Sequence, residues 1–380
     1  MIEAPAAADQ DLGLYVHFPW CVRKCPYCDF NSHPLRGNLD EGGYRHALLK
    51  DLENQLRTVA DDSIGSVFFG GGTPSLFEPE TFAIVLGRIE RYLQHDAEIT
   101  MEANPGTTEH KDFGGYLRAG INRLSLGAQS FDEAQLQRLG RVHGTDDILR
   151  SVEAARSAGI DNVNLDLMYG LPRQSVDGAL ADLEQAIALA PDHLSWYQLT
   201  IEPKTEFARR PPPPVAEDDL AAMEAAGYRL LADNGFSRYE VSAFARPARQ
   251  CRHNLNYWTF GDYLGVGAGA HGKRSRPTKS GVLVTRTSKA RQPRLYLEKP
   301  QETMQTPVAT KALGGEFVLN ALRLTEGVSA RTFTERTGLD TSALQPAWSE
   351  LAAQGLLETE RLAATEIGFR YLDSLIDRFL

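Results

Sequence analysis

Cysteine is scarce in this chain, with four in 380 residues. That is too few to staple a protein of this length, so a disulfide scaffold is excluded. No apolar run approaches the roughly 18 residues that a spanning helix needs. The opening stretch Met-Ile-Glu-Ala-Pro-Ala-Ala-Ala-Asp-Gln lacks the basic region and apolar segment of a signal peptide, so a cytoplasmic location is expected. Net positive charge is also missing. With 40 Lys and Arg against 50 Asp and Glu the chain carries -10, which argues against a surface that grips nucleic acid throughout. The glycine run Gly70-Gly71-Gly72-Thr73-Pro74 is neither a G-x-G-x-x-G fingerprint nor a P-loop. What remains is an ordinary globular composition, 42% hydrophobic and 24% charged, at a length that suggests two domains or one large domain with an appendage.

The cysteines that are present are clustered. Cys21-Val-Arg-Lys-Cys25-Pro-Tyr-Cys28 follows an apolar stretch, 12–18, that reads as a strand, and Cys251 lies far away. In a reducing compartment such clustering points to metal or redox chemistry. A structural zinc site usually pairs one short clip with a second, and no second clip exists here, although His17, Asp29 or His33 could complete one locally. Three thiolates without an obvious fourth fit better a [4Fe-4S] cluster with one iron left open.

Beyond the cysteines, short β-branched or aromatic runs alternate with amphipathic ones. Strands are expected at 13–18, 66–69, 99–103, 123–127, 163–168 and 194–199, with helices at 41–58, 79–93, 146–158 and 176–189. Six β-α units predict an α/β fold, a parallel sheet curved into a partial barrel that stops short of eight units. Ligands of such folds bind at the carboxyl ends of the strands, where the distinctive residues fall. Gly70-Gly71-Gly72-Thr73-Pro74 follows the second strand and either lets a ligand approach the backbone or makes a tight turn. Glu102 ends the third strand and Asp166 lies in the fifth. In an otherwise apolar barrel each needs a partner, either a salt bridge or the hydroxyl and ammonium groups of a ligand. Gln129 and Arg141 complete the set, the guanidinium being suited to clamp a carboxylate.

The C-x3-C-x2-C spacing is the signature of the radical S-adenosylmethionine (SAM) superfamily. The whole pattern, from Tyr15-Val-His-Phe-Pro through the cysteines to Gly-Gly-Gly-Thr-Pro, Glu-Ala-Asn-Pro, Gly-Ala-Gln-Ser and Asp-Leu-Met-Tyr-Gly-Leu-Pro, resembles the oxygen-independent coproporphyrinogen III dehydrogenase family. The resemblance implies a [4Fe-4S] cluster on Cys21, Cys25 and Cys28, with SAM at the open iron and cleaved to a 5'-deoxyadenosyl radical. Matching motif by motif, it implies SAM contacts from Tyr15, Tyr27, Gly71, Gly72, Thr73, Glu102, Gln129, Arg141 and Asp166. The dehydrogenases carry a further cysteine two residues after the third and a longer N-terminal segment, whereas here Asp29-Phe30 follows Cys28 and twenty residues precede Cys21. Instead the chain has Cys251-Arg-His253-Asn254-Leu-Asn-Tyr257-Trp258, whose H-N-x-x-Y-W core looks like the mark of the heme chaperone branch. That branch implies heme as a cofactor, with His253, Tyr257 and Trp258 as candidate contacts, and transfer to apo-hemoproteins such as respiratory-chain enzymes. A histidine among aromatics is otherwise a core residue, and Cys251 reads equally as a buried small hydrophobe.

Three domain assignments follow: a radical SAM partial barrel over 1–245, a connecting segment over 246–300, and a C-terminal helical, winged-helix-like domain over 301–380. The connecting segment holds eight basic and no acidic residues between positions 271 and 294. These form either solvated loops or a patch for heme propionates, an acidic partner or lipid head groups, the last giving peripheral membrane contact. A winged helix raises DNA binding as an alternative. From 312 to 380, however, six Arg and Lys face ten Asp and Glu, a net of -4, and a DNA reader needs a basic face. The sequence leaves a homodimer open.

Overall fold

The computed structural model describes residues 12–57, 59–61, 63–108, 112–279 and 281–380. Six strands lie side by side in parallel: β1 (Leu12–Phe18), β2 (Ile64–Gly71), β3 (Leu93–Ala103), β4 (Arg123–Gln129), β5 (Asn162–Tyr169) and β6 (His193–Gln198). Between them run α1 (Glu41–Leu56), α2 (Pro79–Ile89), α3 (Phe113–Ala119), α4 (Thr145–Ser157) and α5 (Val176–Ala188). The expected strands and helices are all present, with ends shifted by a few residues; the expected end of the first helix at position 58 lies outside the described residues. The strands form the partial α/β barrel expected from the six β-α units.

Alternation along each strand sorts the side chains. Leu14, Val16 and Phe18 of β1, Val67 and Phe69 of β2, Leu124 and Leu126 of β4 and Leu165 and Leu167 of β5 face the helices, where Leu48, Leu52, Phe82, Val85 and Leu183 meet them in one core. The other face lines the lumen, and it is polar. Glu98, Thr100 and Glu102, Arg123 and Ser125, Asn164 and Asp166, and His193, Ser195 and Tyr197 all belong to it. This corrects the expectation of an otherwise apolar barrel, because period-2 strands with one apolar face leave their polar residues to the lumen.

The stretch 246–300, read from sequence as a connecting segment, extends the sheet instead. After α6 (Glu217–Asp233), β7 (Ser237–Glu240) and β8 (Ala243–Ala245) continue the sheet antiparallel beyond β6. Helix α7 (Arg252–Trp258) then carries the H-N-x-x-Y-W residues. Strand β9 (Tyr263–Val266) pairs parallel with the free side of β1, followed by antiparallel β10 (His271–Thr278), β11 (Gly281–Ser288) and β12 (Met304–Pro307). Buried Asp51 of α1 forms an ion pair with buried Lys289 and accepts from the Tyr296 hydroxyl at 3.0 Å, which ties this extension to the helical layer.

The C-terminal part has its own core. Helices α8 (Thr310–Ala321), α9 (Ala330–Thr337) and α10 (Ala347–Ala353) enclose Phe317, Val318, Phe333, Trp348 and Leu351, and Phe260 and Val284 of the preceding sheet region join them. Val328–Ser329 and Arg361–Leu362 make the small antiparallel pair of a winged-helix-like unit. Gly338 caps α9 in the left-handed region at φ 69°, and a short 3-10 turn, Thr341–Leu344, leads towards α10. Among the described residues no helix is long and apolar enough to cross a membrane.

Candidate functional site

A cavity of about 440 Å³ opens at the carboxyl ends of the parallel strands. Its wall includes Cys21, Cys25 and Cys28, together with Tyr27, Gly71, Gly72, Thr73, Glu102, Gln129, Arg141 and Asp166. Of the residues that the resemblance assigned to SAM, only Tyr15 is absent from this wall. Its hydroxyl donates to His17 Nδ1 at 2.8 Å, and His17 Nε2–H donates to the Asn31 carbonyl at 2.9 Å. Tyr15 thus sits behind the cavity, stacked against Phe68 and His253.

The cysteine loop is pinned at both ends. Trp20–Cys21 pairs with His33–Pro34, the Cys28 amide donates to the Cys25 carbonyl at 3.1 Å, and Lys24 Nζ donates to the Phe30 carbonyl at 2.9 Å. Burial pushes the Cys21 and Cys28 thiols above their ordinary range. The glycine turn is packed tightly against the loop. A Cβ on Gly72 would lie 2.5 Å from the Trp20 carbonyl oxygen and 2.8 Å from that of Phe18, while Gly71 adopts φ +113° with the His17 ring where a Cβ would be. Only glycine at these positions brings the β2 backbone up to the cavity.

Two carboxylates line the same cavity. Glu102 accepts from the Gly71 amide at 2.9 Å; burial, with the Asp166 charge second, pushes its pKa up to about 8. Asp166 accepts from Ser125 Oγ at 2.9 Å and Asn164 Nδ2 at 2.8 Å, and burial raises it as well. Arg141 Nη2 donates to the Gly127 carbonyl at 2.8 Å and Nη1 is directed at Cys25 Sγ at 3.7 Å, while its buried Nε has no acceptor. Gln129 is held at φ 72°, where β4 slips register against β5, and its Oε1 accepts from the Tyr197 hydroxyl at 2.8 Å. Thiols, carboxylates and a guanidinium with a spare donor therefore share one cavity. That donor set suits a zwitterion carrying hydroxyl groups.

Sequence reasoning missed Ser125, Asn164 and Tyr197. The signal was there in the spacing: Ser125 and Asn164 each lie one period-2 step before a cavity residue on the same strand face.

The H-N-x-x-Y-W residues are elsewhere. Helix α7 closes the opposite end of the barrel, where Arg252 reaches the start of β3 at Asp96 and Asn256 would collide with a Cβ on Gly13 of β1. His253 is 4% exposed, with its ring 4.5 Å from Phe68 and 4.3 Å from Tyr257, and its Nδ1 is buried without a partner. Burial, then the Arg123 charge, lowers its pKa to about 3. Trp258 packs towards the C-terminal core beneath Arg323. Nor do the basic residues of 271–294 form one free patch. Lys273 and Arg274 pair with Asp262, Arg286 with Glu316 and Lys289 with Asp51.

The comparisons with known proteins agree with this geometry. The radical SAM superfamily model matches residues 15–186 and the HemN C-terminal domain model matches 310–371. The solved structure of coproporphyrinogen III oxidase HemN from Escherichia coli, described as a radical SAM enzyme, shares the fold with a TM-score of 0.78 at 21% identity, over 98% of this chain and 91% of that one. Fold and site thus define a radical SAM protein with a HemN-type C-terminal domain. Within that class, heme chaperone HemW of Escherichia coli K12 is 46% identical over 97% of this chain and 98% of its own length, and HemW of Haemophilus influenzae is 45% identical over 97% and 98%. The chain belongs to the HemW family.

Proposed function

We propose that this protein is a heme chaperone: it binds heme and passes it to apo-hemoproteins, and it carries a [4Fe-4S] cluster on Cys21, Cys25 and Cys28 with SAM in the adjoining cavity. The observation that carries the reading is near-full-length identity to relatives named heme chaperones, combined with a cavity whose wall holds all three cysteines.

The cluster reading is supported by the donor set. Among the described residues no three His, Cys, Asp or Glu side chains are arranged to hold a single ion. Zinc would require such convergence, whereas a cubane takes each thiolate on a separate iron, so thiols that share a wall without sharing a focus suit it. His17, one completing ligand considered for zinc, has both ring nitrogens engaged. In the SAM reading, Arg141 holds the methionine carboxylate, the Gly71–Gly72–Thr73 turn meets the methionine backbone, and Glu102 and Asp166 receive ammonium or ribose hydroxyls, with Tyr27 and Gln129 completing the wall. Bound there, the cluster and SAM would supply one-electron chemistry.

For heme, His253, Tyr257 and Trp258 remain the proposed contacts, and the burial of His253 makes displacement of α7 part of the process. A neutral imidazole with an unpartnered nitrogen is a competent iron ligand once exposed. The separate apolar core around Phe317 and Phe333 supports a C-terminal unit that starts near α8, close to the boundary expected at 301. The test is a heme titration followed in the Soret region. The wild-type protein should bind heme, and His253→Ala should shift the band and weaken binding by roughly tenfold or more, as expected for loss of an axial ligand. A folded His253→Ala protein with an unchanged spectrum and affinity would remove His253 from the site.

A further inference from the structure

A hydrogen-bond chain runs through the barrel lumen from the head of α7 to Asp166, and the partners fix its direction at each step. Asn164 Nδ2 lies 2.7 Å from Ser125 Oγ and 2.8 Å from Asp166 Oδ1, so the amide donates on that side. Its Oδ1 faces the other way and accepts from His193 Nδ1–H at 2.6 Å and from Ser195 Oγ at 3.2 Å. Burial holds His193 well below its ordinary pKa, so the ring is neutral and Nε2 is a lone pair. That lone pair accepts from the Tyr239 hydroxyl at 2.8 Å, and the Tyr239 oxygen accepts from the Cys251 amide at 3.2 Å. Ser125 Oγ–H closes the chain on Asp166 Oδ2 at 2.9 Å. Asn164, His193, Tyr239 and Cys251 are all buried, so water does not offer these groups an alternative partner.

Every hydrogen in the chain points towards Asp166. Such a chain has one consistent state, because turning any member sets lone pair against lone pair in a low-dielectric interior. Without His193 Nδ1–H, Asn164 Oδ1 keeps only the longer bond from Ser195 Oγ at 3.2 Å, and the amide is held less firmly against Asp166.

We propose that His193 is a positioning residue of the cofactor site, acting through Asn164 on Asp166, and that this chain couples cofactor binding to the seating of α7, whose cap residue Cys251 supplies the first N–H. The proposal rests on the reading that Asp166 contacts SAM. Coupling of this kind is reciprocal: what SAM gains from a seated helix, the helix gains from bound SAM.

The experiment measures anaerobic SAM binding to the cluster-loaded, full-length protein. His193→Leu fills the space without a donor, His193→Asn retains an N–H near the Nδ1 position, and Tyr239→Phe keeps the ring but releases the tautomer. His193→Leu and Tyr239→Phe should weaken SAM binding about tenfold, the scale of one misdirected hydrogen bond to a charged group, and His193→Asn should restore most of it. Hydrogen exchange reads the coupling: saturating SAM should slow exchange of the 251–258 amides in the wild type but not in His193→Leu. If the wild type binds SAM and Tyr239→Phe and His193→Leu bind it equally well, or if His193→Asn loses as much as His193→Leu, the positioning role is wrong. A cluster-loaded wild type that binds no SAM would instead overturn the cofactor reading on which the proposal stands.

Discussion

Cys21, Cys25 and Cys28 are contributed by one loop, and no other cysteine lies on the cavity wall. Replacing any one by Ser leaves two thiolates, too few to hold a cluster that already lacks a fourth protein ligand. Each variant should lose iron and sulfide in anaerobic reconstitution, together with the EPR signal of the reduced cluster, while remaining folded. Glu102 gives a pH signature. Its folded pKa of about 8 lies above the ordinary carboxylate value, so the native state binds the extra proton. The stability linked to it is complete below the unfolded pKa near 4.5 and is lost as pH rises through about 8. In the cofactor-free protein the melting temperature should fall between pH 5 and 8, and Glu102→Gln should flatten that slope. An equal slope in the variant would place the titration elsewhere. At this scale the sequence was informative where one residue type implies one chemistry, as with the cysteines and Gly71–Gly72. It was silent on His193, whose role depends on which strand faces meet across the lumen.

Strands β1 to β6 were legible because each presents a run of apolar residues at period 2 to a helical layer, and that pattern is local. The extension was not. Strand β9 is four residues long, and its placement beside β1 is a pairing across some 250 positions that no local pattern encodes. The basic residues of 271–294 read either as solvated loops or as a functional patch, yet Lys273 and Lys289 are buried beside Asp262 and Asp51. A buried ion pair stripped of one partner leaves an uncompensated charge, which typically costs about 3–5 kcal/mol. Lys289→Met should therefore lower the denaturant midpoint substantially, because Asp51 keeps only the Gly267 amide and the Tyr296 hydroxyl. Adding Asp51→Leu should recover part of the loss. A single variant as stable as the wild type would show that the pair does not hold the extension to α1.

For the molecule as a whole, the balance of -10 and the acidic C-terminal unit provide no overall excess of positive charge. Half of the basic stretch that ran against this balance, Lys273, Arg274, Arg286 and Lys289, is paired with acids within the fold. The barrel has two distinct ends: thiols, glycines and carboxylates gather at the mouth, and the H-N-x-x-Y-W helix closes the base. The proposed chaperone role differs from a dehydrogenase role in requiring release of an unmodified heme. The measurement that separates these most directly offers the cluster-loaded protein heme and an apo-hemoprotein in one assay, and coproporphyrinogen III with SAM and a reductant in another. The account predicts a heme-loaded protein whose Soret band gives way to that of the reconstituted hemoprotein, with no porphyrinogen turnover. Failure to take up or transfer heme, with protoporphyrinogen formed above the cluster-free control, would contradict it.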